Sequence, residues 1–168
     1  LPLDCETPKG IKAIAREDLA CATIAQHYGL EHHKPAKECV IDRLFSDPTG
    51  NLRFVAEVKS RSWTREALEQ RGSLLIGEQK IDGGRALSAI LGVPFAVICI
   101  TEDNHVGMWL VTNKDGELEH WVDSPKMVQT SKTVNDATKK DVMCYFLDMS
   151  EAFLWLQSKR KSLQEVQG

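Results

Sequence analysis

The chain has no long hydrophobic run, no C-x-x-C pair, no internal repeat, no low-complexity tract and no surplus of either charge, and each absence closes off a class of protein. No apolar stretch approaches the roughly 20 residues of a membrane span, and no signal-peptide pattern stands at the start, so no membrane is expected among its partners. The first residue is Leu1, not Met, which suggests processing or tag removal. The five cysteines (Cys5, Cys21, Cys39, Cys99, Cys144) are scattered, and three of them fall within apolar patterns. They read as reduced thiols of an intracellular, cytoplasmic protein rather than as a disulfide framework or a zinc site. A formal net charge of -3 provides no global attraction to nucleic acid, so such binding would need a local basic patch. With 168 residues and no linker-like tract, one domain over residues 1–168 is expected.

What is present is an unusual hairpin from Cys39 to Arg61, CVIDRLFSDPTGNLRFVAEVKSR. Two alternating segments flank the turn Asp47-Pro48-Thr49-Gly50, so two antiparallel strands are predicted. Asp42 lies on the first strand, sharing a face with Val40 and Leu44. Glu57 and Lys59 lie on the second, sharing a face with Val55. Folding at the turn brings two acids and a lysine together on otherwise apolar faces. A buried ion pair contributes little net stability, because desolvation offsets its attraction, so these charges point to a site. A purely structural salt bridge is the competing reading.

Around the hairpin the pattern is mixed. Residues 11–28 repeat apolar positions at helical spacing and end at Gly29, with Glu17 on the apolar stripe between Ile14 and Cys21. His27, His32 and His33 follow without a completing cysteine or acid and read as solvated. After the hairpin, Lys59, Arg61 and Arg65 surround Trp63, a combination suited to phosphates and bases. A second helix is predicted over 73–91. Its stripe passes through Ile76, Gln79 or Lys80, and Leu87, and its Gly83 and Gly84 imply close approach to a sheet. Residues 94–100 form a continuous apolar run, the pattern of a doubly buried strand reached by a parallel crossover. A hairpin is expected at 106–111 and 118–122 around Asp115-Gly116, bringing Trp109 near Trp121. A loop is expected over 124–140 and a strand over 142–148. A last helix, capped by Ser150, carries Phe153, Leu154 and Leu156 and ends in the basic run Lys159-Arg160-Lys161. The core is thus expected over about 11–122, with a C-terminal strand and helix over about 142–166.

The order helix, hairpin, helix, buried strand, with Asp42 in Val40-Ile41-Asp42 and the triplet Glu57-Val58-Lys59, resembles the PD-(D/E)XK nuclease superfamily over roughly residues 11–100. It departs from that pattern at Ile41, where the family has a proline. The resemblance implies an α/β fold with a mixed central β-sheet flanked by helices, a restriction-endonuclease-like core. It implies an Mg2+- or Mn2+-dependent nuclease acting on DNA, as an endonuclease or from an end. Asp42, Glu57 and the Val58 carbonyl would hold the metal, with Glu17 as an additional ligand or water-holder, and Lys59 would act on the attacking water. Gln79, Lys80, Arg61 and Arg65 would contact phosphate. The physical requirement agrees: a phosphodiester resists anionic attack until its charge is neutralised and a water activated, and Mg2+ takes only one or two protein carboxylates. Two alternatives stay open: a non-catalytic nucleic-acid- or protein-binding module on the same fold, and a homodimer that cuts two strands.

Overall fold

A computed structural model describes residues 6–131 and 139–158. The first helix, α1 (Pro8–Tyr28), starts where Thr7 accepts a hydrogen bond from the Gly10 backbone N–H and stops at Gly29, whose left-handed φ of 66° suits a glycine. It leads through a short strand β1 (Glu31–His33) to the hairpin β2 (Arg43–Ser46) and β3 (Leu52–Ser60). The turn between them is held by Asp47, whose Oδ1 accepts from Thr49 N at 3.0 Å and Asn51 N at 2.9 Å, while Gly50 takes φ 89°.

After β3 come α2 (Arg65–Arg71), β4 (Ser73–Gly77) and α3 (Glu78–Leu91), then β5 (Phe95–Ile100) and β6 (His105–Leu110). The chain continues through β7 (Lys126–Ser131), β8 (Lys139–Asp148) and β9 (Leu154–Gln157). A six-stranded sheet has the order β1-β2-β3-β5-β6-β9, and a three-stranded sheet has the order β4-β8-β7. β3 and β5 pair in parallel, and the other pairings are antiparallel, so the main sheet is mixed. The fold is therefore α/β, as expected, with a central mixed sheet between helices.

Each face of the main sheet packs a different apolar cluster. Ala56, Val58 and Ile98 meet Ala20, Cys21 and Ile24 of α1 on one face. Val55, Val97 and Cys99 meet Ile81 of α3 and Leu74 and Ile76 of β4 on the other. β5 is buried along its whole length, as its unbroken apolar run required. Gly84 lets α3 lie against the sheet: a Cβ there would fall 2.5 Å from the Phe95 ring. Burial pushes the Cys21 and Cys99 thiols up to about 12, which leaves both inert, and the four described cysteines are unpaired. No helix among the described residues is long and apolar enough to cross a membrane.

Several expectations are corrected. The predicted helix over 73–91 is two elements, because Ser73–Gly77 pairs with β8 and only Glu78 onward is helical. The Asp115-Gly116 turn forms, but residues 118–122 contribute only the isolated bridge Thr112↔Leu118. β6 is flanked instead by β9, and Trp109 packs edge-on against Trp155, not Trp121. The expected loop over 124–140 contains β7. Over the described residues 149–158, a single 3-10 turn at Met149–Glu151, capped by Asp148, and then β9 stand where the helix was expected. His32 and His33 belong to strand β1 rather than to a connector, and His33 Nε2 lies 3.0 Å from Ser46 Oγ. The run Lys159-Arg160-Lys161 lies outside the described residues.

Candidate active site

Glu57 sits in the middle of β3 and is 1% exposed. Its position follows from period-2 alternation: Val55, Glu57 and Lys59 point to the α3 face of the sheet, opposite buried β5 residues, with Glu57 paired to Val97 and Lys59 to Cys99. Burying a carboxylate here requires compensating charge. Two lysines supply it. Lys59 Nζ donates to Glu57 Oε1, and Lys80 Nζ, from the first turns of α3, lies 3.5 Å from Oε2. Desolvation raises the Glu57 pKa above the usual carboxylate range, Lys59 opposes that shift and Asp42 adds to it. Oε2 itself is buried and makes no hydrogen bond.

Asp42 is placed by the start of β2. It occupies the bend just before that strand rather than the strand itself, and its backbone N–H donates to Ala56 O at 3.0 Å. Val40 correspondingly lies exposed under Gly83 of α3 instead of sharing a buried face with Asp42. The Asp42 carboxylate turns toward β3, where Oδ2 accepts from Val58 N at 2.9 Å. Since a strand residue directs its N–H and C=O to the same side, the Val58 carbonyl points toward the edge that Asp42 occupies. The Asp42 carboxylate and the Val58 edge thus meet where β2 gives out and β3 continues, near enough to Glu57 for the Asp42 charge to raise its pKa.

Glu17 reaches this edge from α1. Burial raises its pKa from 4.5 to about 7, the neighbouring Asp42 carboxylate adding to the shift while Lys59 and Arg43 counter it. Among the described residues no three His, Cys, Asp or Glu side chains are grouped closely enough to hold a metal ion by themselves. Glu17 is an electrostatic neighbour of Asp42 and Glu57.

Of the remaining residues singled out in the sequence, the structure brings Lys80 to Glu57 and leaves Gln79 exposed at the preceding position of α3. Arg61 donates to Leu75 O at 3.0 Å, tying the end of β3 to β4. Arg65 is directed elsewhere: its guanidinium lies 4.4 Å from the Trp155 ring centre and its Nε donates to Glu69. One residue escaped sequence reasoning. Arg43, only 2% exposed, donates to Asp42 O at 2.9 Å and pairs with Asp18 of α1, so it fixes the bend that aims Asp42. Its signal was an arginine in the alternating segment VIDRLF, which reads by default as a solvent-facing position.

The two-carboxylate, one-carbonyl set fits a hard divalent cation such as Mg2+. Such an ion takes few protein oxygens and keeps its waters, and the buried, unbonded Glu57 Oε2 is the atom it would satisfy. No protein-family model matches the chain, and no curated protein matches it. Among solved structures the chain is similar to Hjc of Archaeoglobus fulgidus, a Holliday junction resolvase from an archaeal hyperthermophile. Identity is 13%, the match covers 90% of this chain and 93% of that one, and the TM-score is 0.49.

Proposed function

We propose that the protein is a divalent-metal-dependent nuclease that hydrolyses phosphodiester bonds in DNA, with Asp42, Glu57 and Lys59 as its catalytic residues. The observation that carries this is Glu57: a carboxylate 1% exposed, with one oxygen on Lys59 and the other without a hydrogen bond, beside a second carboxylate. Buried charge held this way adds little to stability and is characteristic of sites where a pKa is tuned for chemistry. Asp42, Glu57 and the Val58 carbonyl would hold the ion, which when bound neutralises the phosphodiester and makes a water nucleophilic near neutral pH.

The chain's own residues then divide the work. Lys59 carries its ammonium to the reacting phosphorus, where it orients the attacking water and offsets the negative charge that develops. Lys80, placed against the other oxygen of Glu57, holds that carboxylate from the opposite side. Glu17, with a pKa of about 7, can exchange a proton with water at the edge of the cluster under neutral conditions. Arg43 positions Asp42 without touching substrate.

The test is digestion of plasmid, linear and branched DNA in Mg2+ or Mn2+. Wild type is expected to cut, and Asp42→Asn, Glu57→Gln and Lys59→Ala each to lose about 100-fold or more of the rate. A wild type that cuts nothing, or variants that cut as well as wild type, would defeat the proposal. A second reading is favoured by the closure of both lysines onto Glu57: a non-catalytic module in which this cluster is a permanent salt bridge. Calorimetric titration with Mn2+ separates the two, since binding that disappears in Glu57→Gln belongs to the enzyme alone.

A further inference from the structure

A groove of about 1130 Å³ runs between α1, the connection from β3 to α2, and the three-stranded sheet. Its basic side chains are Lys9, Lys12 and Arg16 from α1, Arg61 after β3, and Arg71 at the end of α2, with Glu102 as the one acid in its lining. In a chain whose formal net charge is -3, that segregation makes a local field for a polyanion. Three of the cations are already fixed in place. Arg16 donates to Ser60 Oγ at 3.2 Å, Arg61 to Leu75 O at 3.0 Å, and the Arg71 guanidinium lies 3.6 Å from the Trp63 ring centre.

The floor differs from the rim. Trp63, Leu74, Val142 and Phe146 make it apolar and partly aromatic. The same face of the three-stranded sheet carries two more lysines by register, since Lys126 pairs with Cys144 and Lys140 with Thr130, and both partners line the groove. None of Asp42, Glu57, Lys59 and Lys80 lines the groove, and the link to the Glu57 cluster runs along the chain: Ser60 in the groove wall directly follows Lys59, and Gly77 lies three residues before Lys80.

We propose that this groove binds single-stranded DNA and leads one strand to Glu57, an assignment whose direction rests on the nuclease reading. A duplex offers phosphates but keeps its bases stacked inside, which would leave the apolar floor empty. A single strand engages both parts, phosphates on the cationic rim and base faces on Trp63 and Phe146.

The experiment is fluorescence anisotropy in EDTA with labelled single-stranded DNA, the duplex of that sequence, and single-stranded RNA of that sequence. Single-stranded DNA is expected to bind about tenfold more tightly than duplex. Lys9→Glu combined with Lys12→Glu, both exposed positions, should weaken that binding about tenfold or more and shrink the log–log salt slope by about 1.4. Phe146→Ala should weaken single-strand binding about fivefold and leave duplex binding unchanged, whereas Lys114→Glu, on the distant Asp115-Gly116 turn, should change nothing. Duplex or RNA binding as tight as single-stranded DNA, or equal losses in the groove and Lys114 variants, overturns the assignment. Glu57→Gln keeps the two proposals apart. If it binds as wild type but does not cut while the groove variants bind normally, the groove assignment alone falls. If it cuts as wild type, the nuclease reading falls and the groove stands or falls on the binding data.

Discussion

Glu57 is sealed under the main sheet with two lysines against it, whereas Lys9 and Lys12 on the groove wall extend their charge into solvent. The two regions use charge in opposite ways. In the cluster, desolvation dominates: it raises the Glu57 and Glu17 carboxyls above their ordinary pKa and makes the removal of any partner costly. In the groove, water screens each charge, single contacts are weak, and affinity comes from their number and falls with salt. Chemistry needs the first environment and reversible capture of a long anion needs the second. Ser60, next to Lys59, and Gly77, three residues before Lys80, link the two regions along the chain.

The sharpest way to break this comparison is to remove charge from the cluster and look for an effect in the groove. Glu57→Gln is isosteric and should lower cleavage about 100- to 1000-fold while leaving single-strand binding in EDTA unchanged. Parallel loss of binding would show that the two regions are one. Next in size is Arg43→Ala. This side chain is 2% exposed, joins Asp18 of α1 to the bend at Asp42, and its removal leaves that junction unpaired. Urea denaturation should show a loss of about 3 kcal/mol, and Arg43→Lys should restore part of the stability but little of the cleavage, because an ammonium cannot serve both partners at once. A variant as stable as wild type would remove Arg43 from its positioning role.

The cluster was far more legible in the sequence than the groove, for a physical reason. Asp42, Glu57 and Lys59 are brought together by a hairpin whose turn chemistry, Asp47 to Gly50, is written in consecutive residues, and Glu17 by the stripe of one helix. The groove depends on the three-stranded sheet, of which β8 alone reads as a strand: KMVQTS of β7 is two-thirds polar and reads as loop, and SLLIG of β4 runs straight into a helix. The edge strand β9 of the main sheet was not legible either. The Asp115-Gly116 turn is real, yet the strand beside β6 comes from residues 154–157, and no local signal could show that Trp155 would displace Trp121. Arg43 was invisible as well, since its partner Asp18 lies 25 residues away in sequence.

The smallest expected effect is also the most specific to the cluster, and it concerns Glu17. Its pKa rises from 4.5 to about 7 on folding, through burial first and the Asp42 carboxylate second. The folded state therefore binds more protons than the unfolded chain between those two values, and stability must fall as pH rises through that window and level off above about 7. The size of that fall is on the order of 2 kcal/mol for this half-buried group. Glu17→Gln cannot titrate and should lack this component, so the urea midpoints of wild type and variant, measured in EDTA from acid to mildly alkaline pH, should diverge in favour of the variant as pH rises. Lys9→Glu with Lys12→Glu, at the solvent end of the same helix, should run parallel to wild type across that range. If Glu17→Gln also runs parallel, the carboxyl is solvated like those of the groove rim, and the boundary between the two regions lies deeper in the sheet than α1.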